Sequence, residues 1–107
     1  MRYVLVLTTC GTRREANRIA RALVTDRLAA CVNISSQPFH SIYRWKGKIE
    51  EANEFLLLIK TSRTRLPALQ AEIPRLHSYE VPELLALQVF AGSLPYLAWL
   101  DDCLAPE

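Results

Sequence analysis

One short segment holds most of the side chains that could do chemistry. His77-Ser-Tyr-Glu-Val-Pro-Glu83 carries an imidazole, a phenol and two carboxylates where a helical pattern ends and a strand pattern begins. Such connections carry functional groups more often than the elements they join. His77 could bind a metal ion or carry a proton, although a purely structural His at a helix C-terminus is more common. Glu80 and Glu83 point to opposite faces of an extended segment, so they make a poor acid/base pair.

The cysteines give a weaker chemical signal. Cys10 comes just before a predicted helix N-terminus, which favours a lowered thiol pKa, but no His or acid partner for catalysis is evident. Cys31 lies in an apolar strand, where a thiol usually behaves as a small hydrophobe. With Cys103 the count is odd, and no Cys-x-x-Cys motif occurs. This usage predicts neither a disulfide scaffold nor a zinc site, and it is typical of a cytoplasmic protein.

Aromatic and basic side chains are the other candidates. Tyr43 and Trp45 alternate onto one strand face, where packing is the usual role and base stacking the alternative. The Lys/Arg-Gly-Phe/Tyr signature of RNA-binding sheets is missing. Lys60 follows an apolar run, and Glu54 or Glu83 could be its partner. The sequence contains no Gly-rich phosphate loop, no HExxH and no Gly-x-Ser-x-Gly.

Composition limits the classes of protein that the chain can belong to. A length of 107 residues with half of them apolar predicts a single domain over residues 1–107. A net charge of +2 is too mild to indicate a nucleic-acid or membrane partner. The sequence has no apolar run near the roughly 18 residues that cross a bilayer, and no signal-peptide core. We therefore expect a cytoplasmic location.

Hydrophobic periodicity predicts the elements that must position these side chains. Helix one has a capping box at Thr12 and Glu15 and an apolar face from Ala16 to Val24. Helix two has Thr64 as N-cap and a bend at Pro74, and Ser93 caps helix three. Four strands are predicted: Tyr3–Leu7, Ala29–Trp45, Ile49–Thr61 and Val81–Phe90. The second strand is broken between Ile34 and Phe39, and a Lys46-Gly47 turn joins it to the third.

This order, β-α-β-β-α-β plus a terminal helix, predicts an α+β fold of ferredoxin-like type with an antiparallel sheet. The strands are apolar on both faces, for example at Val4-Leu-Val-Leu7 and Phe55-Leu-Leu-Leu-Ile59. Helices one and two cover one face of such a sheet, and a short third helix covers only part of the other. Large apolar patches mark interaction surfaces, so we expect a homo-oligomer.

The chain also resembles the CutA family, the divalent-cation tolerance proteins. The matching motifs span nearly the whole chain: Thr8-Thr9, Arg27 to Ile34, Ser41 to Glu50, Glu54 with Leu57 to Thr61, His77 to Glu83 and Tyr96 to Leu100. The resemblance implies a ferredoxin-like subunit in a homotrimer similar to the PII signalling proteins. It also implies a response to copper and other divalent metal ions without enzymatic activity.

The resemblance further implies a site in the clefts between subunits. By motif match its residues are Tyr43, Trp45, Lys60, His77, Tyr79, Glu83 and Trp99. The Cys that some members carry falls on Thr8, and Ser78 replaces the usual Pro of the His-Pro-Tyr motif. The metal ligands would then be His77 and, as a substitute thiol, Cys10, binding Cu²⁺ or another divalent cation weakly and not for folding. Two alternatives remain: a PII-like small-ligand sensor or protein-binding scaffold, and, ranked last, an enzyme using Cys10 or His77.

Overall fold

The structure is a computed structural model that describes residues 2–106, so the predicted domain limits at residues 1 and 107 lie outside it. Within this range the chain forms an α+β fold with three helices and five strands. The strands are β1 (Tyr3–Cys10), β2 (Cys31–Ile34), β3 (Phe39–Trp45), β4 (Lys48–Ser62) and β5 (Leu85–Gln88). The helices are α1 (Arg13–Thr25), α2 (Leu66–Leu76) and α3 (Leu94–Leu104).

Strand β4 is the centre of the sheet and pairs antiparallel with β1, β2 and β3. The main sheet has the order β2-β4-β1-β5, so β4 lies between the two strands that α1 connects. This is the order of a split βαβ unit, and it confirms the predicted antiparallel α+β class. The predicted strand Val81–Phe90 is wrong in length: only Leu85–Gln88 pairs, with β1. Pro82 has no N–H to donate to a ladder, which fits a paired strand that begins only after it.

The main core lies between one sheet face and helices α1 and α2. Alternate residues of β1, including Val6 and Thr8, point into this core. Ile19 of α1 and Ile73 of α2 are fully buried against them. Val24 was predicted for the apolar face of α1 but is 42% exposed, because it lies at the edge of the apolar stripe in the last turn.

Local signals explain most helix ends. Thr12 Oγ1 accepts from the Glu15 N–H at 3.1 Å, and Ser93 Oγ accepts from the Tyr96 N–H at 3.4 Å, which confirms both predicted N-caps. Thr64 as N-cap of α2 is wrong. The helix begins one residue later, at Leu66, with Arg65 as its N-cap. The N–H of Arg65 donates to Ser62 Oγ at 3.3 Å.

The β3–β4 hairpin forms the arm that carries the aromatic candidates. Its turn has Lys46 at φ 50° and Gly47 at φ 80°, as a two-residue turn of type I′ requires. The turn prediction is therefore confirmed. It sets the register that brings Trp45 opposite Lys48 and Phe39 opposite Glu54.

The second sheet face is covered only in part. Helix α3 packs Leu100 and Leu104 onto Ala30 and Tyr3, and the Tyr3 hydroxyl donates to Asp101 at 3.0 Å. The apolar residues towards the β5 edge stay open to solvent, with Leu85 58% and Leu87 48% exposed. No helix between residues 2 and 106 has the length and apolar character needed to span a bilayer.

Candidate functional site

A cleft of about 720 Å³ opens between the β3–β4 hairpin, the end of β1 and the loop after α2. Such a volume is typical of sites for small molecules. One wall is aromatic, formed by Tyr43 and Trp45 on the same face of β3. The opposite side carries Tyr79 and Glu83 of the sequence-predicted set. The structure therefore brings four of the predicted site residues into one cavity.

Glu54 is the buried carboxylate of this cleft. It is 9% exposed, and its Oε2 accepts from the Tyr79 hydroxyl at 2.9 Å and the Thr9 hydroxyl at 3.2 Å. Both donors converge on one oxygen, so Oε1 receives no hydrogen bond from residues 2–106. Burial, followed by the contact with Glu54, raises the pKa of the Tyr79 phenol, which stays a donor. The sequence indicated Glu54 as a possible partner of Lys60 and as part of a family motif, but not as a site residue; its place just before a long apolar run was the available signal.

Glu83 faces the same cleft from the loop after α2. Partial burial raises the pKa of its carboxyl group, and the charge of Glu54 raises it further. Neither an ion pair nor a hydrogen bond to Glu83 occurs among residues 2–106. Two acidic groups thus share one cavity without an intervening cation from that part of the chain.

His77 lies beneath the cleft with its side chain fully buried. Its Nε2 is 2.7 Å from the Thr9 carbonyl oxygen, and its Nδ1 accepts from the Tyr79 N–H at 3.0 Å. From this geometry we assign a neutral ring with the proton on Nε2. Neither nitrogen then has a lone pair free for a metal ion. The side chain therefore links β1 to the loop after α2 through hydrogen bonds.

Glu15 and Ser78 fix the same loop from the other side. Glu15 accepts from the Ser78 N–H at 2.7 Å and from its hydroxyl at 3.1 Å, and is also 3.5 Å from Arg18. A proline at this position has no N–H for the first bond. The carboxylate that sequence analysis placed in a capping box therefore anchors the His77 segment.

Cys10 does not have the lowered thiol pKa that its position before a helix suggested. The side chain is fully buried, and its Sγ points to the Thr12 carbonyl oxygen at 3.9 Å. Burial, with smaller effects of Glu15 and Glu54, raises the pKa of the thiol to about 11. The thiol is therefore protonated at neutral pH, and a metal ion would have to displace its proton in order to bind. Across residues 2–106, no cluster of three or more His, Cys, Asp or Glu side chains could hold a metal ion.

Two members of the predicted set lie elsewhere in the subunit. Lys60 donates to Asn33 Oδ1 and lies 3.8 Å from Cys31 Sγ, on the second sheet face. Its predicted pairing with Glu54 or Glu83 does not occur among residues 2–106: Glu54 lies six positions earlier on β4, roughly 20 Å along the strand, and Asn33 accepts from the Lys60 ammonium group instead. Trp99 lies on α3 with its ring 5.5 Å from that of Tyr96. Neither side chain lines the cleft.

Fold and site together define a small α+β protein with one antiparallel sheet and an acidic, aromatic cleft at one end. The chain belongs to the family of CutA1 divalent ion tolerance proteins, whose family model matches residues 4–103. The resemblance noted from the motifs is thereby confirmed.

Relatives and solved structures agree with this assignment. Human Protein CutA is 51% identical over 92 residues, which are 86% of this chain and 51% of that protein. The divalent-cation tolerance protein CutA of Thermus thermophilus is 47% identical over 98 residues, covering 92% of this chain and 94% of the relative. The structure of the periplasmic divalent cation tolerance protein CutA from Archaeoglobus fulgidus superimposes with a TM-score of 0.92 at 35% identity, covering 96% of this chain and 99% of that one. The chain spans about half the length of the human and mouse relatives.

Proposed function

We propose that the protein acts in divalent-cation tolerance as a non-enzymatic homotrimer that binds cations weakly at clefts between subunits. Family membership supports the link to divalent ions. The observation that carries the binding site is the pair Glu54 and Glu83, which face one cavity and have no cationic partner among residues 2–106. Carboxylate oxygens accept divalent ions, and two of them without nitrogen or sulfur ligands predict weak binding of copper.

The trimer is supported by the uncovered part of the second sheet face. Leu85 and Leu87 are apolar and about half exposed, next to Leu5 and Leu7 on β1. Burying such residues stabilises an association by about 25 cal/mol per Å² of apolar surface. Subunits packed on this face would also bring other surfaces towards the cleft, including Lys60 and Trp99.

Native mass spectrometry with Cu²⁺ and Zn²⁺ tests the metal site. We expect up to three adducts for each trimer, reduced in Glu83→Gln. Glu72→Gln is the matched control, because this carboxylate lies on α2, 3.8 Å from Arg75 and away from the cleft. A trimer with no adducts would overturn direct cation binding, and unchanged adducts in Glu83→Gln would move the site away from the carboxylate pair.

A second candidate function is a PII-like receptor for a small ligand or for a protein segment, with the metal effect indirect. The size and aromatic wall of the cleft favour it, because a cavity of about 720 Å³ far exceeds the volume of a single ion. A thermal shift with an organic ligand and none with copper would support this function over the first.

We propose the cytoplasm as the site of action and no nucleic-acid or membrane partner. The cysteines at positions 10, 31 and 103 are free thiols, as in a reducing compartment. The Archaeoglobus relative is described as periplasmic, so localisation of a tagged protein with its native termini is the direct test.

A further inference from the structure

The cleft has an unbalanced set of charges. Of its acidic residues, Glu80 has a partner, since its Oε2 lies 4.0 Å from Lys46 Nζ. Glu54 and Glu83 have no cationic partner among residues 2–106 and face the same cavity. The cleft therefore holds two carboxylates without a cationic partner from residues 2–106, and the Lys46 ammonium group on its wall is paired with Glu80.

Glu54 has one carboxylate oxygen that accepts no hydrogen bond from residues 2–106. The side chain is 9% exposed, and two hydroxyl groups satisfy only its Oε2. Thr9 and Tyr79 are neutral donors, so they do not compensate the charge. A buried carboxylate is costly unless it is paired with a cation and its oxygens are hydrogen-bonded. Its Oε1 is thus a free acceptor at the wall of a cavity large enough for a ligand.

The aromatic wall indicates which kind of cation fits. Lys46 Nζ lies 5.5 Å from the centre of the Trp45 ring, so the structure already places one ammonium group on this wall. Tyr43 and Trp45 remain 42% and 38% exposed, which leaves ring surface for an apolar group. A hydrated metal ion makes no use of such a surface, whereas an organic cation does.

We propose that the cleft binds a small protonated organic amine, with its N–H groups on Glu54 Oε1 and Glu83 and its apolar body against Tyr43 and Trp45. A primary or secondary ammonium supplies the donor that Oε1 lacks, whereas a quaternary ammonium has none. The inference rests on the receptor function of the cleft, the second candidate above. Because amine and metal ion use the same carboxylates, they compete.

Isothermal titration of the full-length assembled protein with three probes of similar shape tests the proposal. Phenethylamine is a cation, phenethyl alcohol is neutral and hydrocinnamate is an anion. Among these three probes we expect heat of binding for the amine alone. A fourth probe, trimethylated phenethylamine, is expected to bind at least about tenfold more weakly than phenethylamine, because it has no N–H donor. Zn²⁺ is expected to weaken amine binding by competition.

The variants locate the binding site. Glu83→Gln removes one charge from an exposed side chain and is expected to weaken amine binding by about tenfold or more. Glu72→Gln leaves it unchanged, and near-ultraviolet circular dichroism checks that both variants are folded. Equal weakening by Glu72→Gln would assign the effect to general charge and overturn the proposed site.

The possible outcomes separate this inference from the proposed functions. Binding of the alcohol or the anion as tight as that of the amine would overturn the amine assignment and keep the receptor function. Failure of all three probes to bind, with metal adducts present, would overturn the amine inference and leave divalent-cation binding standing. Failure of all three probes and of the metal ions to bind would overturn the cleft as a site for cations of either kind.

Discussion

The Nε2 atom of His77 lies 2.7 Å from the carbonyl oxygen of Thr9, and this bond closes a ring of hydrogen bonds beneath the cleft. The Thr9 hydroxyl continues the ring to Glu54, which accepts from the Tyr79 hydroxyl, and the Tyr79 N–H returns to Nδ1 of His77. The imidazole therefore positions the buried carboxylate through other groups, and its chemistry is structural.

His77→Ala is expected to lower the free energy of unfolding by about 3 kcal/mol, because it removes two hydrogen bonds and leaves a cavity under a buried ring. Urea denaturation at a fixed protein concentration measures the loss, since assembly makes stability depend on concentration. His40→Ala is the control: this exposed side chain pairs with Glu51 at 2.7 Å on the hairpin. An effect of His77→Ala no larger than that of His40→Ala would contradict the structural role.

Tyr79→Phe removes one of the two donors to Glu54 and is expected to cost about 2 kcal/mol, as for a hydrogen bond to a charged group. The matched control is Tyr96→Phe, because the Tyr96 hydroxyl makes no hydrogen bond within residues 2–106 and its ring is 42% exposed. Thermal denaturation of both variants gives the comparison. Equal stabilities would mean that the Tyr79 hydroxyl is not bonded in solution.

Glu83→Gln is expected to raise the stability of the protein at neutral pH by at most about 1 kcal/mol, because solvent screens a partly exposed carboxylate. The folded state raises the pKa of Glu83 above its usual value of 4.5. Between the unfolded and folded pKa values the native chain holds more protons, so stability falls as pH rises through this window. The gain from Gln is thus complete above the folded pKa and vanishes in acid. Melting curves at several pH values check this, and a gain that grows in acid would refute the assigned cause.

Periodicity and turn chemistry were enough to predict most of the fold. The positive φ angles at Lys46 and Gly47 follow from a turn motif, and the caps at Thr12 and Ser93 follow from local spacing. The exact start of α2 and the short length of β5 did not follow. The Arg65 N–H donates to the Ser62 hydroxyl oxygen, a side-chain contact that hydrophobic periodicity does not reveal, and β5 pairs with only Val4–Leu7 of β1.

The candidate site was less accessible to sequence reasoning because its key contacts join distant segments. Glu15 and Ser78 are 63 positions apart, yet both donors of Ser78 meet one carboxylate. The same holds for Glu54 and Tyr79, which are 25 positions apart. The role of His77 depends on the hydrogen-bond partners of its two ring nitrogens. Residue type alone does not distinguish a metal ligand from a structural histidine.

Cys10 is expected to resist alkylation by iodoacetamide in the native protein at neutral pH. With a pKa raised to about 11 and no exposure, the thiol supplies almost no accessible thiolate. Peptide mass spectrometry after labelling with and without urea measures this, and we expect Cys10 to be modified only in urea. The half-buried Cys31 and Cys103 serve as internal comparisons. Native labelling of Cys10 ahead of both would restore it as a reactive group.

Leu87→Asp is expected to dissociate the proposed trimer, because it introduces a charge into the apolar face formed with Leu5. Val24→Asp is the matched control: Val24 is also apolar and 42% exposed, but lies on α1, away from the open sheet face. Light scattering after gel filtration gives the mass of each variant. The interface lies on this face if the unmodified protein and Val24→Asp are trimers while Leu87→Asp is a monomer. A trimer that survives Leu87→Asp would place the subunit contacts elsewhere, for instance on the exposed hairpin, where Ile42 and Ile49 are 66% and 62% exposed.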